Sequence, residues 1–267
     1  LCLASALTAQ TTGSNQSVRL RADNIDEVVS AMTLEEKVHL VIGCGMSMGS
    51  DTKFPGTAGR TYDIPRLGIP SAYLADGPHR LAMAAKREFD SRTYHATEFP
   101  SSTTVAATFN PDAAHKVGRT LGTEVKDYGL DVLLAPGVNL MRNVLCGRNH
   151  EYYSEDPLLT GLCAAADTKG VQSYKGHGTT IKHFAANNQE DNRMFTNAHI
   201  SERAIREIYL KGFEIAVKTA QPYAIMTSYN LINGTHAANH YDMLQNVARD
   251  EWGFEGFIMT DWYTSQD

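Results

Sequence analysis

The chain has 267 residues, 42% of them hydrophobic and 20% charged, with 24 Lys and Arg against 30 Asp and Glu for a formal net charge of −6. Such a balance describes an ordinary globular protein long enough to bury a sizeable core. It argues against a nucleic-acid binder, because phosphate neutralisation needs clustered Lys and Arg and no basic stripe is present, and no apolar run approaches the roughly 20 residues of a membrane span.

At the N-terminus, LCLASALTAQTTGSNQS passes from an apolar stretch ending in small residues into a polar Ser/Thr/Gln/Asn-rich segment. It resembles the tail of a secretory signal peptide without its charged start. Residues 1–20 are therefore expected to be a leader remnant and linker, and the protein to be periplasmic or secreted; a frayed terminus is the alternative. Asp23 to Met32 and then TLEEKVHLV predict two short helices, the second opened by Thr33 with Glu36 three residues on, a capping-box pattern.

From there apolar, β-rich runs alternate with segments of helical period. The runs are SAYLAD at 71–76, LDVLLAP at 130–136, TTIKHF at 179–184, YAIMTSYN at 223–230 and GFIMTDW at 256–262. The predicted helices start at Asn110, Asp156, Ser201 and Tyr241. Strands this apolar are covered on both faces, which implies parallel βαβ units. Two α/β architectures fit, an open doubly wound sheet or a (β/α)8 barrel. The barrel is favoured because Asp76, Lys182 with His183, Tyr229 and Asp261 each fall at the C-terminal end of a predicted strand, the face on which barrel enzymes assemble their sites. No Gly-rich phosphate loop follows the first strand, as an open nucleotide-binding sheet usually requires.

Singly, these polar residues have ordinary readings. Asp261 could cap the next segment, Lys182 could snorkel at a strand edge, and Asp76 lies in an Asp-Gly-Pro turn. In GRNHEYYSEDP, Arg148 and Glu151 could be a structural ion pair. The four cysteines show no CxxC and read as buried thiols, and the ten histidines form no metal-binding spacing, so neither metal nor cofactor is expected. Together, the strand ends describe a polar pocket with aromatic walls, the surface a sugar ring requires.

The segments LADGPHR, GRNHEYYSEDPLLTG, KHFAANNQEDNR, MTSYN and GFEGFIMTDW are similar, in this order, to the N-terminal barrel domain of family 3 glycoside hydrolases, above all the β-glucosidase branch. The resemblance runs from about Ala31 to the end. It implies a TIM-like (β/α)8 barrel over residues 21–267, incomplete at its C-terminal end, with Asp261 after the seventh strand and the last strand, its helix and a second α/β domain absent. It implies a retaining exo-hydrolase of terminal β-D-glucosyl residues, acting on β-glucosides or oligosaccharides, with Asp261 as nucleophile. Asp76, Arg148, Lys182 and His183 would grip sugar hydroxyls, Met226 and Tyr229 would line the subsite, and Trp262 would form its hydrophobic wall.

One departure stands out. After Asp-Gly-Pro the family pattern runs through a small residue, Gly and Leu to Arg, whereas this chain has His79, Arg80, Leu81 and Ala82. Either Arg80 reaches round to replace the missing guanidinium, or the outer subsite has changed. The loop AANNQEDNR lacks the Gly-His-Gly pattern that the single-domain branch uses for its His-Asp acid/base pair. The proton donor is therefore expected outside this chain, and the isolated chain to be inactive. A β-xylosidase or other exo-glycosidase, or a non-catalytic carbohydrate-binding remnant, are the alternatives; the oligomeric state stays open.

Overall fold

The structure, a computed structural model, describes residues 18–46 and 53–264. The leader reading and Cys2 fall outside the described residues, apart from Val18, Arg19 and Leu20. The chain divides into two compact units, Leu1–Gly43 with Thr61–Ser71, and Cys44–Arg60 with Ala72–Asp267.

In the smaller unit, helices α1 (Ile25–Ala31) and α2 (Leu34–Ile42) are the two expected from the sequence. The capping box forms: Thr33 Oγ1 accepts from the Glu36 amide at 3.2 Å, and the Glu36 carboxylate accepts from the Thr33 amide at 2.8 Å. Val28, Met32, Ile64 and Leu67 make a small apolar core. Arg66 donates to Glu36 at 2.7 Å and to the Ala31 carbonyl at 3.0 Å, joining the start of α2 to the end of α1.

The larger unit is built on a mixed, curled sheet. Its strands are β1 (Gly59–Arg60), β2 (Tyr73–Asp76), β3 (Val132–Leu134), β4 (Gly178–Phe184), β6 (Ala224–Thr227) and β9 (Phe257–Met259), in that spatial order. All five apolar runs become strands, and β2, β3, β4, β6 and β9 pair in parallel with the next in line. Among the described residues the sheet has six strands, and one expectation changes: Asp261 follows the fifth parallel strand of the sheet rather than a seventh. The first strand, β1, is antiparallel to β2. Beyond the last strand, the Trp262 indole Nε1 donates to the Ala58 carbonyl at 3.0 Å, next to β1. The two ends of the curled sheet are thus tied by a side chain. A separate small sheet is formed by β5 (Asn197–Ala198), β7 (Leu231–Ile232) and β8 (Thr235–His236).

Helices α4 (Pro111–Asp127) and α5 (Pro157–Val171) match the sequence reading, each with Pro in its first turn and an Asn110 or Asp156 cap. Helix α3 (Ser102–Ala106) was not legible. The segment from Ser201 is broken into α6 (Glu202–Ala204), a π-helical stretch (Ile205–Tyr209) and α7 (Lys211–Ala220); the last predicted helix is π-helical over Asp242–Glu251. α4 and α5 meet almost backbone to backbone. A Cβ on Gly118 would stand 2.2 Å from the Asp167 carbonyl oxygen, and one on Gly170 would stand 2.4 Å from that of His115. Cys146 and Cys163 are buried as expected, whereas Cys44 is only half-buried.

Period-2 alternation sorts the sheet's side chains. Ala75, Leu133, Ile181 and Ile225 enter the cores beneath the helices. Leu74, Val132, Leu134, Met226 and Met259 face the other way and cluster with Ala58 and Trp262 inside the curl. The same alternation carries Asp76 and Lys182 to that inner face, two residues beyond Leu74 and Thr180.

Candidate active site

Every residue of β4 is buried, and Lys182, only 3% exposed, is inside the protein rather than snorkelling out of it. A buried ammonium needs partners. Its Nζ lies 3.1 Å from Asp76 Oδ1 and 3.9 Å from Glu151 Oε2. Arg148 in turn grips Glu151 with two hydrogen bonds, Nε to Oε1 at 2.6 Å and Nη2 to Oε2 at 2.9 Å. The four groups form a row of alternating charge. Burial pushes the Glu151 carboxyl upward, but Arg148 and Lys182 outweigh it and hold Glu151 below the usual glutamate value. For Arg148 burial alone would lower the guanidinium, and the hydrogen bond with Glu151 and neighbouring Tyr152 carry it above its ordinary value instead.

Glycine at 137 lets these segments meet. Residue 137 bridges both Tyr152 and Lys182, and a Cβ there would stand 2.7 Å from the Glu151 carbonyl oxygen. The loop bearing Arg148 and Glu151 is thereby laid against the end of β4.

His183 is 1% exposed, and its backbone is fixed by a residue the sequence reading missed. Asn139 accepts from the His183 amide at 2.7 Å and donates to the His183 carbonyl at 2.8 Å, acting like one rung of an extra strand. The ring lies between Tyr152, whose hydroxyl is 3.4 Å from Nδ1, and Asp261, whose Oδ2 is 3.5 Å from Nε2. Burial, with Arg148, Lys182 and Arg193 nearby, holds the imidazole well below its ordinary pKa. His183 is therefore neutral at pH 7, a close polar neighbour of Asp261 and not its counter-charge.

Asp261 emerges from the turn after β9 and is 8% exposed. Oδ1 accepts from the Trp262 amide at 2.7 Å, the Tyr229 hydroxyl donates to the carboxylate, and the Asp261 carbonyl accepts from the Thr264 amide at 3.3 Å. Burial raises this carboxyl above the usual aspartate value; the Trp262 amide, Tyr229, Lys182 and Arg148 pull it back down. The same carboxylate and burial push the Tyr229 phenol upward, keeping it protonated as a donor. Met226 lies beneath, in the apolar cluster inside the curl, with the half-buried Trp262 ring packed against that cluster.

The eight expected site residues thus come together in and around one inner face, with Asp76 the most open of them at 53% side-chain exposure. Two further residues that the sequence analysis did not single out join them. The Arg193 guanidinium lies over the Tyr229 ring, 4.4 Å from its centroid, and is paired to Glu190 at 2.6 Å. The open question at residue 80 is answered: Arg80, its side chain 60% exposed, pairs with Glu98 at 3.4 Å and does not turn into the site. His79 also faces Glu98, at 3.7 Å, and meets the His150 ring edge-on. Among the described residues no three His, Cys, Asp or Glu side chains are placed to hold a metal ion.

Known proteins resemble the chain over most of its length. It is 45% identical over 244 residues to an exo-α-(1→6)-L-arabinopyranosidase of Bifidobacterium longum, covering 90% of this chain and 30% of that protein. It is 44% identical over 238 residues to β-glucosidase B of Emericella nidulans, covering 89% of this chain and 26% of that one. Among solved structures, β-glucosidase 3B of Thermotoga neapolitana in complex with α-D-glucose superposes with a TM-score of 0.86 at 51% identity, over 89% of this chain and 34% of that one. The chain thus spans about a quarter to a third of the length of these relatives. Residues 77–266 match the family model described as the glycosyl hydrolase family 3 N terminal domain, and the chain belongs to that family.

Proposed function

We propose that this chain carries the nucleophile half of a retaining exo-β-glucosidase. In the reaction, an Asp261 oxygen attacks the anomeric carbon and forms a glycosyl ester as the bond to the leaving oxygen breaks; that oxygen takes a proton from an acid. Water, deprotonated by the same group, then releases the sugar and regenerates the carboxylate. The observation that carries this reading is the setting of Asp261: a buried carboxylate at a strand end, held by the Trp262 amide and Tyr229, with the His183 ring 3.5 Å away and the Lys182 and Arg148 charges beside it. Asp76, Lys182, Glu151 and Arg148 offer donors and acceptors for the hydroxyls of one sugar ring, and Trp262 an apolar edge.

The proton donor belongs outside residues 1–267 in this proposal, a carboxyl brought about 5 to 5.5 Å from Asp261 by the rest of the enzyme. Its support is the loop 185–193, which has no Gly-His-Gly sequence. The test is hydrolysis of p-nitrophenyl β-D-glucoside by the full-length enzyme and by the 267-residue polypeptide. The full enzyme turns over, Asp261→Asn lowers its kcat/KM by about a thousandfold or more, and the short polypeptide is inactive. Turnover by the short polypeptide that Asp261→Asn abolishes contradicts the placement of the acid.

A second reading is favoured by the relative named as an exo-α-(1→6)-L-arabinopyranosidase and by Ala82, which stands where the family pattern has Arg. On that reading the preferred sugar is a pentopyranose. Comparing kcat/KM on aryl β-D-glucopyranoside, β-D-xylopyranoside and α-L-arabinopyranoside decides between the two.

A further inference from the structure

We infer that Glu190 is a positioning residue for the nucleophile, acting through Arg193 and Tyr229. The inference rests on the role proposed for Asp261 and adds to it a relay of three contacts. Glu190 Oε2 holds Arg193 Nη1 at 2.6 Å. The Arg193 guanidinium lies over the Tyr229 ring, 4.4 Å from the centroid. The Tyr229 hydroxyl donates to Asp261.

Each contact has a direction. A cation over an aromatic face draws on its electron density. It makes the phenol a better hydrogen-bond donor, and a better donor favours the ionised form of its acceptor carboxylate. Arg193 and Arg148 do pull the Tyr229 phenol downward, against burial and against Asp261. The relay works only while Arg193 stays over the ring. Arg193 is a long, part-exposed side chain, and its charged anchor is Glu190, fixed within the same turn by the Arg193 amide donating to the Glu190 carbonyl at 3.3 Å. The other Glu190 oxygen, Oε1, is buried without a hydrogen-bond partner. The side chain lies along Gly147, beside the loop of Arg148. Glu190 therefore lies between the Arg193 guanidinium that it holds and the loop that carries Arg148. The charged and titratable groups that face Asp261 are Tyr229, His183, Lys182 and Arg148, with Arg193 behind Tyr229.

The test uses the full-length enzyme and a 2-deoxy-2-fluoro glucoside with a dinitrophenolate leaving group, which reports attack by the nucleophile alone. Glu190→Ala and Arg193→Met are each expected to slow trapping about tenfold, equivalent to about 1.4 kcal/mol, and to move its acidic limb to higher pH. The double variant is expected to lose no more than either single one. Glu190→Gln, which keeps an acceptor oxygen for Arg193, is expected to recover most of the rate. Unchanged trapping and limb in Glu190→Ala overturn the inference, as do additive losses. A Glu190→Ala enzyme slowed only on substrates with poor leaving groups also overturns it, by marking Glu190 as the proton donor. If the wild-type label lands on a residue other than Asp261, the proposed function fails, which is a separate outcome.

Discussion

Asp261 answers to two opposing demands. Burial favours its neutral form, and the proposed attack on a glycosidic carbon requires the ionised one. Because the folded value is raised, a nucleophile at Asp261, as proposed, is lost to protonation at a higher pH than an ordinary aspartate, and the acidic limb of kcat/KM should lie above about pH 4. Lys182→Met removes one of the cations opposing burial and should move that limb further up; a pH–rate profile that moves down contradicts the assignment. Asp167 is the other buried acid whose titration matters. On α5 it accepts from the Tyr153 hydroxyl at 2.6 Å, and burial pushes it up to about 7 despite that bond. Its folded value exceeds its unfolded one, so its contribution to stability is complete below about pH 4 and is lost as pH rises through about 7. Asp167→Asn should leave stability nearly unchanged at about pH 4 and raise it above pH 7 by on the order of 4 kcal/mol. Melting temperatures across pH check this, and an equal shift at both ends contradicts it.

At the scale of elements, the glycines between α4 and α5 set how closely the layers over the sheet can stack. A Cβ at Gly118 meets the Asp167 backbone at 2.2 Å, and backbone within a helix cannot step aside as a side-chain tip can. Gly118→Ala should cost about 1 to 3 kcal/mol despite the gain in helix propensity, measured by denaturant unfolding; a stabilised variant contradicts the packing described. The long elements were legible because their patterns are local. Five apolar runs became five parallel strands, and Thr33, Asn110, Asp156 and Ser201 all serve as caps. Two-residue strands such as β5 and β8 are too short to show a period. The π-helical turns at Ile205–Tyr209 and Asp242–Glu251 read as ordinary helices because both forms bury one face.

Across the larger unit, what the sequence did not disclose is which ends meet. The expectation of an incomplete barrel did not say how the ends of its sheet are held; here a tryptophan bond from beyond β9 to Ala58 ties the two ends of the sheet. Trp262→Phe keeps the ring and removes that donor, so it should cost about 1 kcal/mol in unfolding free energy, and no loss contradicts a tie at this point. The strand-end residues Asp76, Lys182, His183 and Asp261 were legible because strand ends in parallel sheets gather on one side. Asn139 and Arg193 were not, since a neutral amide and a loop arginine carry no local signal until the chain folds them against His183 and Tyr229.

The most direct measurement is mass spectrometry of the full-length enzyme after inactivation with a 2-deoxy-2-fluoro-β-D-glucoside. One sugar adduct is expected, carried by the peptide containing Asp261 and absent from the Asp261→Asn enzyme; an adduct on any other residue contradicts the role proposed for Asp261.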